Sequence, residues 1–164
     1  MQDHVLLIGQ VLVLLGVANG TPIFAARLLG RRFGAPLDGG LKFPDGRSLF
    51  GPSKTVRGLV LSLVCTALAA ALLGFEWITG AGLAAASMLG DLLSSFVKRR
   101  LGLRTHNQAF GLDQVPESLL PLLLLKEHLG LGGGDIALIV AAFIVLELVL
   151  TRLLLKLNIR NRPY

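Results

Sequence analysis

The stretch GDLLSSFVKRR, at residues 90–100, combines an acid, two serines and three bases at the end of an apolar segment. In a helix, Asp91, Ser95 and Lys98 fall at positions i, i+4 and i+7 and therefore share one face. An acid about two turns inside a membrane segment is costly, so it usually faces a partner, a cavity or a metal ion. For Asp91 the structural alternative is an ion pair with Arg57 or Lys98.

A second acid, Asp113, lies near the end of the polar loop at residues 98–114. Asp91 and Asp113 could converge on one pocket. Two carboxylates beside many bases suit a divalent metal and a polyphosphate, because oxygens hold Mg²⁺ while Arg and Lys hold phosphates. Asp38 and Asp45 are further candidates, but each lies in a glycine-rich turn, which favours a turn role over metal binding.

The segment GPSKTVRG, at residues 51–58, precedes another apolar run. Ser53 is placed to cap the helix formed by that run, with Lys54 and Thr55 in its first turn. A helix N-terminus with free N–H groups, a lysine and hydroxyls is a plausible phosphate site. The alternative is a simple cap, and the pattern is not the GxxxxGK[ST] phosphate loop.

The elements that must position these residues are long apolar segments. With 53% hydrophobic and 16% charged residues, the chain is too apolar for a typical soluble domain. We predict an all-α integral membrane protein with a single domain, residues 1–164, and transmembrane helices at about residues 5–29, 55–73, 75–99, 115–129 and 136–157. The fourth is short for a span of roughly 20 residues. NGTP at residues 19–22 is expected to break the first helix, with a packing kink as the alternative.

Basic residues cluster in two large loops, at about residues 30–54 and 100–114, and at the C-terminal end. The opposite turns carry almost none. By the positive-inside rule, the N-terminus is outside, and the C-terminus and both loops are cytoplasmic. We therefore predict a multi-pass protein of the cell membrane with its active site on the cytoplasmic side. Because the bases lie beside membrane segments, the net charge of +6 does not indicate a nucleic-acid partner.

Together, these polar blocks resemble the CDP-archaeol synthases, relatives of the phosphatidate cytidylyltransferases. The resemblance rests on GDLLSSFVKRR followed by LDQ, on FGPSKTVRG, and on ANGTPI, LDGG and PDGR, within residues 18–23, 37–58 and 90–114. It implies a five-helix membrane enzyme with its N-terminus outside. Such an enzyme would use Mg²⁺ to transfer a cytidylyl group from CTP to a lipid phosphate and would release pyrophosphate. The implied lipid is 2,3-bis-O-geranylgeranylglycerol 1-phosphate, and the product is CDP-archaeol.

The resemblance also implies roles for individual residues. Asp91, Asp113 and Lys98 would be catalytic, and the two acids would also bind the metal. The residues implied to contact CTP and its phosphates are Ser53, Lys54, Thr55, Arg57, Ser95 and Arg99. The chain departs from the family pattern at DQVPE, where Pro116 stands in place of the usual second acid. Either Glu117 takes over that role as a metal ligand, or the metal site is smaller.

The sequence allows other functions. One is an activity like that of CDP-diacylglycerol synthase on another lipid phosphate. A small multi-pass transporter would use Glu147, an acid near the middle of the fifth segment, together with a broken first helix. Against a transporter, the polar residues concentrate in two loops on one side. A non-catalytic scaffold would not need Asp91 inside a helix.

Overall fold

The computed structural model describes residues 2–30, 32–103 and 112–156, with side chains from residue 4 to residue 152 inside those ranges. In this part the chain forms helices and no β-strand, so the predicted all-α class is confirmed here. The helices are α1 (Gln2–Leu29), α2 (Val56–Leu72), α3 (Trp77–Arg100), α4 (Gln114–Leu124), α5 (Lys126–Leu129) and α6 (Gly133–Lys156). Most of the second predicted loop, residues 104–111, and the predicted end of the fifth segment at residue 157 lie outside the described residues.

Helix α3 lies at the centre of the bundle. It packs against α1, α2 and α4, while α6 packs against α1 and α4. The apolar core lies where these helices meet, and its fully buried side chains include Leu14, Leu83, Leu122 and Phe143. The face of α3 that carries Asp91 is therefore surrounded by other helices.

Two glycines of α3 permit the closest helix contacts. A Cβ built on Gly80 would lie 2.4 Å from the carbonyl oxygen of Thr66 in α2, and one on Gly90 would lie 2.2 Å from that of Pro116 in α4. Any side chain at these positions would force the backbones apart. Gly90 thus brings the start of α4 against α3 beside Asp91.

The outer surface of the bundle is that of a membrane protein. Within the described part of the chain, three helical segments are long and apolar enough to cross a membrane: His4–Leu29, Trp77–Arg100 and Gly133–Arg152. Helix α2 is apolar but has only 17 residues. Large apolar side chains such as Leu72, Leu93 and Val145 are exposed, which suits lipid as the surrounding solvent.

The predicted break in α1 is wrong, because the helix runs through NGTP without interruption. Proline at position 22 has no N–H for the carbonyl oxygen of Ala18, four residues earlier. The Oγ of Ser62 in α2 donates to that oxygen at 2.7 Å instead. The lost backbone hydrogen bond is therefore replaced by a side chain of the neighbouring helix, as membrane helices allow.

The fourth apolar segment was predicted as one helix, but it forms two. Helix α4 has 11 residues and ends before Leu125, whose φ and ψ of −102° and 7° leave the helical region. The single turn α5 follows and ends at Gly130, which adopts the left-handed conformation with φ 64°. The left-handed glycine stops the turn, and α6 then begins at Gly133.

The first loop, residues 30–55, folds on itself through two short β-bridges. Lys42 pairs with Ser48, which makes a small hairpin, and Pro36 pairs with Thr55, which closes the loop. Asp38 fixes the interior of the loop by accepting backbone hydrogen bonds, all at 3.0 Å, from Gly40, Phe50 and Gly51. The turn role predicted for Asp38 is confirmed, since its carboxylate is fully engaged.

Candidate active site

A cavity of about 630 Å³ lies between the first loop and helices α1, α2, α3, α4 and α6. The two polar regions of the sequence meet there. All ten candidate residues line it: Ser53, Lys54, Thr55, Arg57, Asp91, Ser95, Lys98, Arg99, Asp113 and Glu117. The convergence of Asp91 and Asp113 on one pocket, which the sequence suggested, is present in the structure.

Lys54 of the first loop pairs with Asp91 of α3. Its Nζ lies 2.5 Å from both carboxylate oxygens, and each side chain is only about a fifth exposed. The partners suggested from the sequence, Arg57 and Lys98, were wrong. Arg57 is directed away, donating to the carbonyl oxygens of Gly30, at 2.8 Å, and Arg32.

A second lysine–aspartate pair lies across the cavity. Lys98 Nζ lies 2.8 Å from Oδ1 of Asp113 and donates to Oδ2 at 2.9 Å. Both side chains are nearly buried. Asp113 precedes α4 and makes no side-chain capping bond to that helix, so its carboxylate is left to face the lysine. Asp91 and Asp113, the two acids that the resemblance marks as catalytic, therefore pair with different lysines.

Three acids approach one another beside Lys54. The charges of Asp91, Glu147 and Lys54 all act on Glu117, which is almost fully buried. Neighbouring carboxylates repel each other unless a proton or a cation lies between them. Oxygen donors close together are also what a divalent cation such as Mg²⁺ requires.

The carboxylates of Asp91 and Glu117 could supply two ligands to a metal ion, but they do not enclose one. Among the described residues, no group of three or more His, Cys, Asp or Glu side chains is arranged to hold a metal ion. Mg²⁺ commonly binds through one or two carboxylates and completes its shell with water and substrate phosphates. The pair formed by Asp91 and Glu117 fits that mode of binding.

The prediction that Ser53 caps α2 was wrong. The N-cap of α2 is Thr55, whose hydroxyl accepts from the backbone N–H of Gly58 at 3.3 Å, and the helix begins at Val56. The bridge between Pro36 and Thr55 holds the preceding residues in the loop. Lys54 therefore lies just before the helix, on the loop side of the cavity.

The cavity is also lined by residues that were not among the ten candidates. Asn19 and Arg27 line it from α1, and Glu147 lines it from α6. Asn19 donates to the Oγ of Ser87 at 2.9 Å, which ties α1 to α3. A polar residue within a membrane segment is the signal that marks Asn19 and Glu147.

The fold and the cavity define a class: a helical membrane protein with a cavity that is lined by both acids and bases. Comparison with known proteins narrows that class. The CDP-archaeol synthase family (CarS-like) matches residues 73–164. A CDP-archaeol synthase of Pyrobaculum calidifontis is 42% identical over 113 residues, which cover 66% of this chain and 67% of the relative. One of Sulfolobus acidocaldarius is 32% identical over 154 residues, covering 90% and 91%.

A solved structure agrees with these relatives. It is described as an intramembrane enzyme for archaeal membrane lipid biosynthesis, and it is 29% identical to this chain with a TM-score of 0.65. The match covers 84% of this chain and 90% of that one. The chain belongs to the CDP-archaeol synthase family. The predicted family is confirmed, and with it the enzyme class, a CTP-dependent cytidylyltransferase.

Proposed function

We propose that this protein transfers the cytidylyl group of CTP to 2,3-bis-O-geranylgeranylglycerol 1-phosphate, giving CDP-archaeol and pyrophosphate. One observation carries the assignment to this chain. The cations and acids of two distant sequence blocks line a single cavity, in which each lysine lies against a carboxylate, Lys54 against Asp91 and Lys98 against Asp113. Such pairs can exchange partners when phosphates and a cation enter together.

The nucleotide phosphates would be bound by the cationic wall of the cavity. Lys54 and Arg57 come from the first loop and α2, whereas Lys98 and Arg99 come from α3. Hydroxyl groups that could donate to the same phosphates are those of Ser53, Thr55 and Ser95. Lys54 and Lys98 are largely buried, and partly buried donors bind anions more strongly than fully exposed bases do, because the local dielectric is lower than that of water.

A divalent cation, in our proposal Mg²⁺, would be held by Asp91 and Glu117, with Asp113 as a further acid. When bound, it neutralises phosphate charge and orients the triphosphate. Glu117 would thereby take the place of the acid that Pro116 replaces. Its nearness to Asp91, whose charge acts on it, supports this choice, because a shared cation would remove the repulsion between the two carboxylates.

The reaction needs positioning more than proton transfer. An oxygen of the lipid phosphate forms a bond to the α-phosphorus of CTP, and the bond from that phosphorus to the β-bridging oxygen breaks. The electron pair leaves with pyrophosphate. Because the attacking phosphate is already an anion, no strong general base is required. Lys54, Lys98 and Arg99 would stabilise the charge that builds on the leaving group.

The other wall of the cavity suits a lipid. It is apolar, and its lining includes Gly16, Gly20 and Ile23 of α1 with Leu146 and Leu150 of α6. An isoprenoid chain could lie against this wall while its phosphate faces the cations. We place the cavity on the cytoplasmic side of the cell membrane, in a single domain with five spans and its N-terminus outside, because Lys54 of the first loop lines it and the bases of that loop favour the cytoplasm.

The transporter hypothesis has less support. It relied on a broken first helix and on Glu147. Helix α1 is continuous, and Glu147 lines the same cavity as the phosphate-binding candidates.

The test is turnover by the purified protein with CTP and Mg²⁺. Ether-linked isoprenoid glycerol phosphate and diacyl phosphatidate would be offered side by side, and CDP-lipid and pyrophosphate measured. We expect product from the isoprenoid lipid, and its loss in Asp91→Asn and Asp113→Asn. Glu127→Gln, an exposed acid in α5, is the matched control and should retain activity. Product from phosphatidate alone would identify the other lipid, and no product from either would overturn the proposal.

A further inference from the structure

A cluster outside the cavity joins the first loop to the end of α3. We call it the clasp: Phe43, Asp45 and Arg47 of the hairpin, with Phe96 and Arg100 of α3. The Arg100 guanidinium carbon lies 4.5 Å from the ring centre of Phe43 and 4.9 Å from that of Phe96. The two rings meet edge to face with centres 5.4 Å apart.

Each of the two arginines of the clasp reaches the other segment. Arg100 donates to Asp45 at 2.8 Å and to the carbonyl oxygen of Ser48 at 2.7 Å. Arg47 donates in the opposite direction, to the carbonyl oxygens of Arg99 at 3.2 Å and Arg100 at 2.5 Å. These oxygens end α3 and have no partner within the helix.

The sequence around the clasp is shaped to accommodate it. Gly102 follows α3 with φ 72°, and a Cβ there would lie 3.3 Å from the guanidinium of Arg47. Asp45 also accepts from the backbone N–H of Arg47 at 3.0 Å. The hairpin turn therefore presents the carboxylate and the guanidinium together to α3.

We propose that the clasp is a positioning device for the nucleotide, which rests on the function proposed above. The phosphate-binding candidates come from two segments, Ser53 to Thr55 on the first loop and Lys98 with Arg99 on α3. Inside the cavity, the ion pair of Lys54 and Asp91 joins these segments, and it must open if Asp91 takes a cation and Lys54 a phosphate. The clasp uses none of these side chains, so it keeps the two segments in register while that exchange happens.

The chemistry of the clasp requires arginine. A guanidinium stacks on aromatic rings and donates to two acceptors at fixed angles, whereas an ammonium group does neither well. Arg100→Lys therefore keeps the charge and loses the geometry. We expect KM for CTP to rise about tenfold and kcat to change less than about twofold, because uniform binding is lost while the reacting groups remain. Asp45→Asn, which removes one contact, should raise KM by about threefold.

The control is Lys42→Ala. Lys42 is an exposed base of the same hairpin and lies outside the clasp, so its removal changes the hairpin without removing any contact of the clasp and should leave KM unchanged. Folding of every variant would be checked by size-exclusion elution and thermal unfolding in detergent. Equilibrium binding of labelled CTP in the presence of Mg²⁺ provides a readout that does not depend on turnover.

The outcomes separate the clasp from the function. If the wild type forms CDP-lipid and Arg100→Lys binds CTP as tightly as the wild type does, the clasp proposal is overturned while the proposed function stands. An equal rise in KM for Lys42→Ala would also overturn it, because a general disturbance of the hairpin would then explain the effect. A wild type that binds CTP without forming CDP-lipid overturns the proposed function, and a tenfold weaker binding in Arg100→Lys would still support the clasp.

Discussion

Ser94 and Ser95 are neighbours on α3 with different surroundings. Both are buried, but only Ser95 lines the cavity, and Ser94 donates to the backbone oxygen of Asp91 in its own helix. We expect Ser95→Ala to lower kcat/KM for CTP about tenfold, the effect of losing one hydrogen bond to a charged group. Ser94→Ala should change it less than about twofold. Equal losses in steady-state assays would contradict the assigned phosphate contact.

The carboxylate of Asp38 should make the stability of the folded protein depend on pH. Burial acts to raise the pKa of its carboxyl, but the backbone N–H donors of Phe50, Gly51 and Gly40 outweigh burial, so the pKa is lowered. A lowered pKa means that the stabilisation is complete above the unfolded value of about 3.9 and is lost as the pH falls through the folded value.

Asp38→Asn should therefore be less stable than the wild type at pH 7, by about 2 kcal/mol, because charged hydrogen bonds are lost. The difference should shrink as the pH falls below the unfolded pKa of about 3.9. Thermal unfolding in detergent across this range measures it. A difference that stays constant with pH would show that the charge of Asp38 is not what stabilises the loop.

At the level of helices, periodicity and charge predicted where apolar segments lie, while contacts between helices decided the rest. NGTP contains a proline that usually interrupts a soluble helix. Only the position of Ser62 on α2, which no local pattern reveals, explains why α1 continues. In the same way, the bridge to Pro36 made Thr55 rather than Ser53 the cap of α2.

The contact of α3 with α4 depends on Gly90. A methyl group there would lie 2.2 to 2.8 Å from the backbone of Pro116 and Glu117, so α4 would have to move. Gly90→Ala should destabilise the protein by about 1–3 kcal/mol and also abolish turnover, since Glu117 would leave Asp91.

Gly9→Ala provides the comparison for this helix contact. Gly9 also lies in a helix, α1, and a Cβ there would meet nothing within 4 Å. Alanine is the better helix former, so this variant should be at least as stable as the wild type. Thermal unfolding and turnover of both variants check the argument. A Gly90→Ala protein that melts and turns over like Gly9→Ala would mean that the helices do not need this close approach.

For the whole molecule, residue types in the sequence predicted which side chains would line the cavity, but not their partners. Asp91 and Lys54 are far apart in sequence, and their pairing follows from how the first loop folds over α3. Arg47 carried no motif, because its hydrogen bonds to the end of α3 exist only in the folded chain. The chemistry of a residue can be read from the sequence, whereas the contact of a loop with a distant helix cannot.

The orientation in the membrane is the largest-scale prediction. Bases concentrate in the first loop, and the positive-inside rule places that loop in the cytoplasm with the N-terminus outside. Because the two ends of the chain are predicted on opposite sides, the chain must cross the membrane an odd number of times. The segment of α4 and α5 must then cross the membrane as well. With 11 and 4 residues, it rises only about 24 Å, less than the bilayer core of about 30 Å, so the membrane must thin there or admit the polar end of α4.

Cysteine labelling tests this orientation directly. In a Cys65→Ala background, Lys42→Cys would report on the first loop and Glu127→Cys on the turn at α5, both at exposed positions. A membrane-impermeant maleimide added to right-side-out vesicles should label position 127 and leave position 42 unlabelled until the vesicles are opened. If both positions label from outside, the segment of α4 and α5 does not cross the membrane. If only position 42 labels, the orientation is reversed, and CTP, which is made in the cytoplasm, could not reach the cavity.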